Sequence, residues 1–155
     1  MMLSLSKFLQ LLVTTSICLF LIVPTGFALA PQDLPAAPPD EAVLDTAEVL
    51  SRAGRNEIES RLKELEPLRV DAKIITLRRL DYGLSLTGFG EDLVKRWSGD
   101  GIANPPPLIL FLEETQNKQA AVVVSEELND QLPDSLLRST GRTTMSQPMR
   151  DGERF

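Results

Sequence analysis

The segment from Pro107 to Val124 constrains the fold of this chain more than any other stretch of its sequence. Residues 108–112 read Leu-Ile-Leu-Phe-Leu, a polar stretch follows, and residues 120–124 read Ala-Ala-Val-Val-Val. Side chains alternate between the two faces of a strand, so the first run is apolar on both faces, which is typical of a strand covered on both sides. Both runs are too short to cross a membrane. We therefore predict a central β-hairpin within an α/β sandwich, the alternative being a single strand followed by a loop.

The composition limits the chemistry that the chain can perform. Its 155 residues carry a net charge of −6 and include no His and one cysteine, Cys18, in the N-terminal apolar segment. Nucleic-acid binding needs clustered Lys and Arg, so we predict no nucleic-acid partner. Without imidazole, and without a thiol after Cys18, a bound metal would have to be a hard cation held by oxygen, which means Ca²⁺ or Mg²⁺.

Residues 1–30 have the pattern of an export signal. Lys7 supplies the positive charge, residues 11–23 are apolar, and residues 28–30 read Ala-Leu-Ala, which fits the small-x-small pattern before a cleavage site. We predict cleavage after Ala30. The alternative is an uncleaved anchor, but the unbroken apolar stretch is shorter than the roughly 20 residues that a membrane span needs.

A proline-rich segment separates this signal from the rest of the chain. Residues 31–42 contain four prolines, all within residues 31–39. Such a composition favours an extended backbone, so we predict a tether without a core of its own. A single α/β domain is then predicted for residues 43–155.

The first helix of this domain is predicted from the spacing of its apolar residues. Ile58, Leu62 and Leu65 recur at i, i+4 and i+7, which places them on one helical face. Ser51 is a possible N-cap, but Gly54 stands where a capping box would have Glu. Asn56 is preferred, because Glu59 follows it at the capping-box spacing.

A strand and a second helix are predicted between this helix and the hairpin. Residues 70–77 are rich in β-branched side chains and predict a strand. In residues 86–97 the large apolar side chains Phe89, Leu93 and Trp97 recur every four residues, which predicts a helix. Trp97 is expected to anchor the core rather than to stack against a ligand.

The signals after the hairpin are weaker. Asp134 is predicted to cap a short helix, and Gly141 is predicted to stop it. Residues 142–155 are polar and show no cap, strand pattern or apolar face, so no element is predicted there.

Several short motifs occur in an order that resembles the TPM domain family. Residues 43–51, Val-Leu-Asp-Thr-Ala-Glu-Val-Leu-Ser, resemble its opening signature, and residues 147–152, Gln-Pro-Met-Arg-Asp-Gly, resemble its Pro-x-Arg-x-Gly segment. Between them, the second helix ends at Trp97 and Asn104 lies in the loop before an apolar strand. The resemblance covers residues 43–155. The chain departs from the family pattern at two points. Pro105 follows Asn104 where many members have Gly, and the final long helix of the family is missing.

The resemblance implies a fold and a function. The implied fold is a three-layer α/β sandwich, in which a small central sheet has helices on both faces. Without the final helix, one face of the sheet would lose part of its cover. The implied function is that of an exported accessory protein, in a thylakoid lumen or periplasm, with a non-catalytic binding role in photosystem II repair or assembly. Its partners would be photosystem II or other thylakoid membrane proteins, with membrane association in a full-length form. Some members are described as weak acid phosphatases that bind calcium, so a calcium-dependent phosphatase is one alternative and a peptide-binding, chaperone-like module is another.

Asp45, Asp100 and Asn104 are the candidate metal ligands. Without His or Cys, phosphoryl transfer would rely on carboxylates and a bound cation, for which the resemblance implies Ca²⁺. Asp45 ends an entry strand and the other two residues lie in the loop before the hairpin, so the fold could bring them together at one edge of the sheet. The alternative is that Asp45 stabilises the turn after its strand and that Asn104 satisfies loop backbone groups. No catalytic residue and no organic cofactor are predicted.

Overall fold

The computed structural model describes residues 28–99 and 105–151. Within these ranges the chain has the predicted α/β fold, which combines a central β-sheet with packed helices. The strands are β1 (Ala28–Leu29), β2 (Val43–Asp45), β3 (Asp71–Leu77), β4 (Arg79–Leu80), β5 (Leu108–Glu114) and β6 (Gln119–Val124). The helices are α1 (Arg52–Lys63), α2 (Leu86–Trp97), α3 (Asp134–Ser139) and α4 (Ser146–Asp151), with a π-helical segment at Thr140–Met145 between the last two.

The central sheet has four strands in the order β2-β3-β5-β6. Strands β2, β3 and β5 are parallel, and β6 runs antiparallel beside β5. Phe111 of β5 lies opposite Val122 of β6, so the predicted hairpin is confirmed. Strands β1 and β4 form a separate two-stranded parallel sheet.

Helix α2 covers one face of the central sheet, and the main core lies between them. Its bounds are those predicted from the sequence. Phe89, Leu93 and Trp97 are 0%, 0% and 1% exposed, and they join one cluster with Leu110 and Leu112 of β5. Burying each side chain of this kind contributes about 1.5–3 kcal/mol. Trp97 is therefore the core anchor that its spacing predicts.

The contact between α2 and the sheet depends on a glycine. A Cβ atom at Gly90 would lie 2.6 Å from Cδ1 of Leu112 and 2.7 Å from Cγ2 of Val123. The helix would have to move away from the sheet to accept it. By contrast, a Cβ atom at Gly88 would meet only the side-chain Oγ of Ser85, at 3.0 Å.

We expect Gly90→Ala to lower the free energy of unfolding by about 1–3 kcal/mol, because overpacking outweighs the gain in helix propensity. The matched variant Gly88→Ala on the same helix should be neutral, or stabilising by up to about 1 kcal/mol. Urea unfolding of the two variants measures both values. Equal effects at the two positions would show that the close approach at Gly90 does not limit packing.

The opposite face of the sheet is less completely covered. Ile74, Ile109, Phe111 and Val124 are only half-buried, although Ala72 and Val122 on the same face are buried. On the core face, by contrast, the large apolar side chains Ile75, Leu110, Leu112 and Val123 are all buried. Helix α1 has no fully buried residue. Among the described residues, the large apolar side chains of this face are therefore less completely buried than those of the core face.

Helix α1 begins earlier than predicted. Its N-cap is Ser51, whose Oγ accepts a hydrogen bond from the backbone N of Gly54 at 3.0 Å. The preference for Asn56 was wrong, because Ser51 alone satisfies one of the free N–H groups of the first turn, without the reciprocal Glu of a capping box. Helix α1 ends at Lys63, before Pro67.

The chain does not leave the helical conformation at Gly141. The π-helical segment continues from α3 through this residue to α4, and Asp134 is the first residue of α3 rather than its cap. A Cβ atom at Gly141 would lie 2.8 Å from the carbonyl O of Ala120, so glycine serves here to bring the segment against β6. The prediction that Gly141 stops the helix was therefore wrong.

Residues 142–151 belong to the folded domain, contrary to the prediction of no element there. The Oγ of Ser146 accepts a hydrogen bond from the backbone N of Ala120 at 2.8 Å and donates one to the carbonyl O of Gly141 at 2.7 Å. Met149, one turn later, is buried. Residues 152–155 lie outside the described ranges.

The start of the proline-rich segment differs from the expected tether. Pro31–Asp33 forms a 3-10 turn, and Leu34 is buried in the main core cluster. The indole Nε1 of Trp97 donates a hydrogen bond to the carbonyl O of Pro35 at 2.9 Å. An extended segment cannot satisfy its own backbone hydrogen-bonding groups. Here the carbonyl group of Pro35 is satisfied by the Trp97 side chain of α2.

Most of the predicted export signal, residues 1–27, lies outside the described ranges. The predicted cleavage point after Ala30 lies one residue after the end of β1 in the sequence. The two residues of β1 pair with Arg79 and Leu80. Among the helices of the described residues, none has the length and apolar character needed to cross a membrane.

Candidate functional site at the carboxyl ends of the parallel strands

Three polar side chains form a row across the parallel strands. Asp45 of β2 is in register with Thr76 of β3, and Thr76 is in register with Glu113 of β5. Residues in register project from the same face, so the three side chains neighbour one another on the less covered face. The row lies at the carboxyl ends of the strands, which is where open α/β sheets bind ligands.

The carboxylate of Asp45 is occupied by protein contacts. Its Oδ1 accepts hydrogen bonds from the hydroxyl of Thr76 and, at 3.1 Å, from the backbone N of Val49. Its Oδ2 accepts one from the backbone N of Leu50 at 3.0 Å and lies 3.8 Å from Nη2 of Arg55. The side chain is 3% exposed. These are the contacts of a residue that holds the turn between β2 and α1, as the structural alternative predicts.

The electrostatics of Asp45 agree with these contacts. Burial by itself raises the pKa of the carboxyl group. The hydrogen bonds from Thr76, Leu50 and Val49, together with the charge of Arg55, outweigh burial and leave the pKa below its ordinary value. Asp45 is therefore held as a carboxylate.

Glu113 has the opposite character. The residue is 5% exposed, and its Oε2 has no hydrogen-bond partner among the described residues. Burial raises the pKa of this carboxyl group from 4.5 to about 7. A buried polar atom without a partner is rare in native proteins and is a reason to look for a ligand, an ion or a proton at that place.

The neighbouring Glu114 shows why Glu113 is unusual. Glu114 is also buried, but it projects from the core face, and its Oε1 accepts hydrogen bonds from the backbone N of Leu80 at 3.3 Å and from Nδ2 of Asn117 at 2.8 Å. Neither residue was predicted to belong to a site, because both lie in the polar stretch between the two apolar runs. The signal in the sequence was a pair of acidic residues directly after a strand that is apolar on both faces. Because consecutive side chains point to opposite faces, one of the two must point to each buried face.

The structure does not test the predicted grouping of Asp45 with Asp100 and Asn104. Asp100 and Asn104 lie outside the described residues. The residue that leads from their loop into β5, Pro107, lies at the start of β3, because its carbonyl O accepts a hydrogen bond from the backbone N of Asp71 at 2.8 Å. Asp45 instead pairs with Thr76, near the end of β3. Within residues 28–99 and 105–151, no three His, Cys, Asp or Glu side chains are placed to hold a metal ion.

Comparison with known proteins identifies the family. No curated protein matches the chain. The solution structure of the N-terminal domain of a protein from P. gingivalis is similar, with a TM-score of 0.69 and 23% sequence identity, and the match covers 82% of this chain and 82% of that domain. This likeness shows the fold. The sequence model of the TPM domain matches residues 43–155, more than half of the chain, and the chain therefore belongs to the TPM domain family.

Proposed function

We propose that this chain is an exported accessory protein with a non-catalytic binding role in the repair or assembly of photosystem II. Its compartment is a thylakoid lumen or periplasm, and its partner is photosystem II or another thylakoid membrane protein. Three features support the proposal: membership of the TPM domain family, the export pattern of residues 1–30, and the resemblance of residues 43–51 to the opening signature of the family.

The observation that favours binding over catalysis is the state of Asp45. Among the three candidate metal ligands, it is the one within the described residues, and both of its oxygens are bound by the protein itself. A general acid, a general base or a metal ligand must present an oxygen lone pair to the substrate or ion. The Asp45 side chain is 3% exposed and already accepts three hydrogen bonds, which leaves it little capacity for this role. Asp45 instead fixes the turn at the carboxyl end of β2.

Fractionation of a photosynthetic cell tests this role. The full chain with a C-terminal tag is expected to reach the lumenal side of the thylakoid membrane and to co-purify with photosystem II, more strongly after damaging light. A version without residues 1–30 serves as the control and should remain outside the lumen. A full-length tagged chain that is absent from the thylakoid fraction would refute the repair assignment.

A second candidate function is that of a weak calcium-dependent acid phosphatase. The observation that favours it is the unpartnered oxygen of Glu113, next to Thr76 and Asp45. Ca²⁺ takes six to eight oxygen ligands, whereas Asp45 is already bound by the protein and Glu113 can supply at most two carboxylate oxygens, so these three residues alone do not fit a calcium site. The candidate depends on Asp100 and Asn104, and we derive no catalytic step from the row.

Calcium titration separates the two functions. If Asp45 belongs to a calcium site, saturating Ca²⁺ raises the melting temperature of the wild-type chain, and Asp45→Asn reduces this rise. At a free Ca²⁺ concentration about 100 times the dissociation constant, Ca²⁺ binding would raise the free energy of unfolding of the wild-type chain by about 2.7 kcal/mol. An unchanged calcium effect in Asp45→Asn would mean that Asp45 is not a ligand. Phosphatase turnover that survives removal of both Asp45 and Asp100 would belong to another site or to a contaminant.

A further inference from the structure

Strand β6 is the last strand of the central sheet, and among the described residues one of its edges has no neighbouring strand. The backbone N of Ser125, just after β6, donates a hydrogen bond to the carbonyl O of Leu108 at 2.9 Å. In an antiparallel ladder every second residue bonds in the same direction, so Val123 and Ala121 also bond to β5. The backbone groups of the residues between them, Ala120, Val122 and Val124, point away from the sheet.

The two ends of this edge differ. At Ala120, the outward N–H donates to the Oγ of Ser146, and Gly141 packs directly against the carbonyl group. At Val122 and Val124, the outward N–H and C=O groups have no partner within the described residues. Native proteins usually cover or block such edges, because free strand groups pair with other chains. Within residues 28–99 and 105–151, one end of the edge is covered and the other is open.

The open end lies in a groove. Residues 120–124 of β6 line a cleft of about 420 Å³. Thr87 and Glu91 of α2 line one side of the cleft, and residues of α3 and the π-helical segment, among them Arg138 and Arg142, line the other. A strand at the bottom of a cleft can pair with a bare extended peptide more readily than with the edge of a second folded domain, which the two walls would keep away.

The α2 wall carries Glu91, and the other wall carries Asp134, Arg138 and Arg142, of which Arg138 and Asp134 form an ion pair at 3.9 Å. Glu91 is exposed and Arg142 is exposed, and neither forms an ion pair within the part of the chain that the structure describes. Side chains of an added strand alternate between the two faces of the sheet. A basic side chain next to an acidic one would therefore meet Glu91 on one wall and Arg142 on the other.

We propose that this groove binds an extended polypeptide segment, which adds to β6 as a fifth strand of the central sheet and carries neighbouring basic and acidic residues. The backbone groups of Val122 and Val124 supply the hydrogen bonds, and Glu91 and Arg142 set the preference for charge. Main-chain pairing of this kind gives affinity, and side-chain pockets give selectivity. The inference deepens the proposed function by naming the class of partner, and it rests on that function only for the compartment in which the partner is found.

The decisive probe is a blocked hexapeptide, acetyl-Thr-Val-Lys-Glu-Val-Thr-amide, added to the full 155-residue chain. Amide hydrogen exchange is expected to slow at Val122 and Val124, by about tenfold or more at saturation, while Ala121 and Val123 are already protected. Replacing the Lys-Glu pair of the probe by Glu-Glu or Lys-Lys should weaken binding by about two- to fivefold. Absence of added protection at Val122 and Val124 at millimolar peptide would overturn the proposal.

Methylated peptides distinguish strand addition from other binding. A probe with N-methyl groups on its two adjacent central residues has no intact edge and should lose binding, whereas a probe methylated on alternate residues keeps one intact edge and should bind. Equal binding of the two would contradict strand addition. Protection of Val122 and Val124 that rises with protein concentration in the absence of peptide would show that a second copy occupies the edge, which also overturns the proposal.

A proline variant tests the protein side of the same contact. Val124→Pro removes an outward N–H without removing a hydrogen bond to β5, and edge strands accept proline at such positions. We expect the variant to fold and to lose peptide binding, and Val123→Pro to unfold the hairpin. If Val124→Pro does not fold, the methylated probes still decide. Failure of the probes leaves co-purification with photosystem II unaffected, so the inference and the proposed function can fail separately.

Discussion

Between pH 4.5 and pH 8, the free energy of unfolding of the wild-type chain is expected to fall by about 3 kcal/mol because of one side chain, Glu113. Burial raises the pKa of its carboxyl group from 4.5 to about 7 in the folded protein. Over this interval the folded state keeps a proton that the unfolded state has released, so stability is full below the unfolded pKa and is lost as the pH rises through the folded pKa. Above about pH 8 the loss is complete.

Glu113→Gln removes this titration. The variant should show no fall in stability over the same interval, and it should be more stable than the wild type near pH 8. Urea unfolding at a series of pH values measures the slope. Glu114→Gln, one residue further along the strand and on the core face, is the matched control and should keep the wild-type slope. A slope that persists in Glu113→Gln would mean that another group carries the pH dependence.

Asp45→Ala should lower the free energy of unfolding by about 3 kcal/mol. The substitution removes the acceptor for the Thr76 hydroxyl and for two backbone N–H groups, and it removes the ion-pair partner of Arg55, which keeps its hydrogen bond to the carbonyl O of Val43. Hydrogen bonds to a charged group contribute about 1.5–3 kcal/mol each, and part of this loss is recovered where water reaches the exposed side of the turn.

The pKa of Asp45 gives this prediction a second test. The value is lowered in the folded state, so the contribution of Asp45 is present above its ordinary pKa and is lost as the pH falls through the folded value. The difference in stability between the wild type and Asp45→Ala should therefore shrink in acid. Asp40→Ala, at an exposed position before β2, serves as the control and should change stability by less than about 0.5 kcal/mol. Equal stability of Asp45→Ala and Asp40→Ala would show that the turn does not depend on Asp45.

The regular elements with strong periodicity were predictable from the sequence. The hairpin and helix α2 were predicted with nearly their observed bounds, because each combines a clear apolar pattern with a local signal for its ends. Both depend on contacts between residues close together in the chain. The family was also recognisable, because its motifs occur in order along residues 43–155.

The elements that were missed depend on contacts between distant parts of the chain. Gly141 was read as a helix stop because of its backbone freedom, whereas its use here is to let the helical segment approach Ala120 on β6. Leu34 lies among prolines, a composition that predicts a tether. In the structure its side chain joins the core cluster formed by α2 and the central sheet. Neither contact has a local signal in the sequence.

The candidate site shows the same division. Residue types and their order are enough to predict that Asp45 ends a strand and that any bound metal would need oxygen ligands. The three-dimensional arrangement is needed to show that Asp45 is bound within its own turn and that, among the described residues, Glu113 has a buried carboxyl oxygen without a partner. The physical reason is that the pKa and hydrogen bonding of a side chain depend on which strands lie beside it and on which face is covered, and the register of the parallel strands sets both.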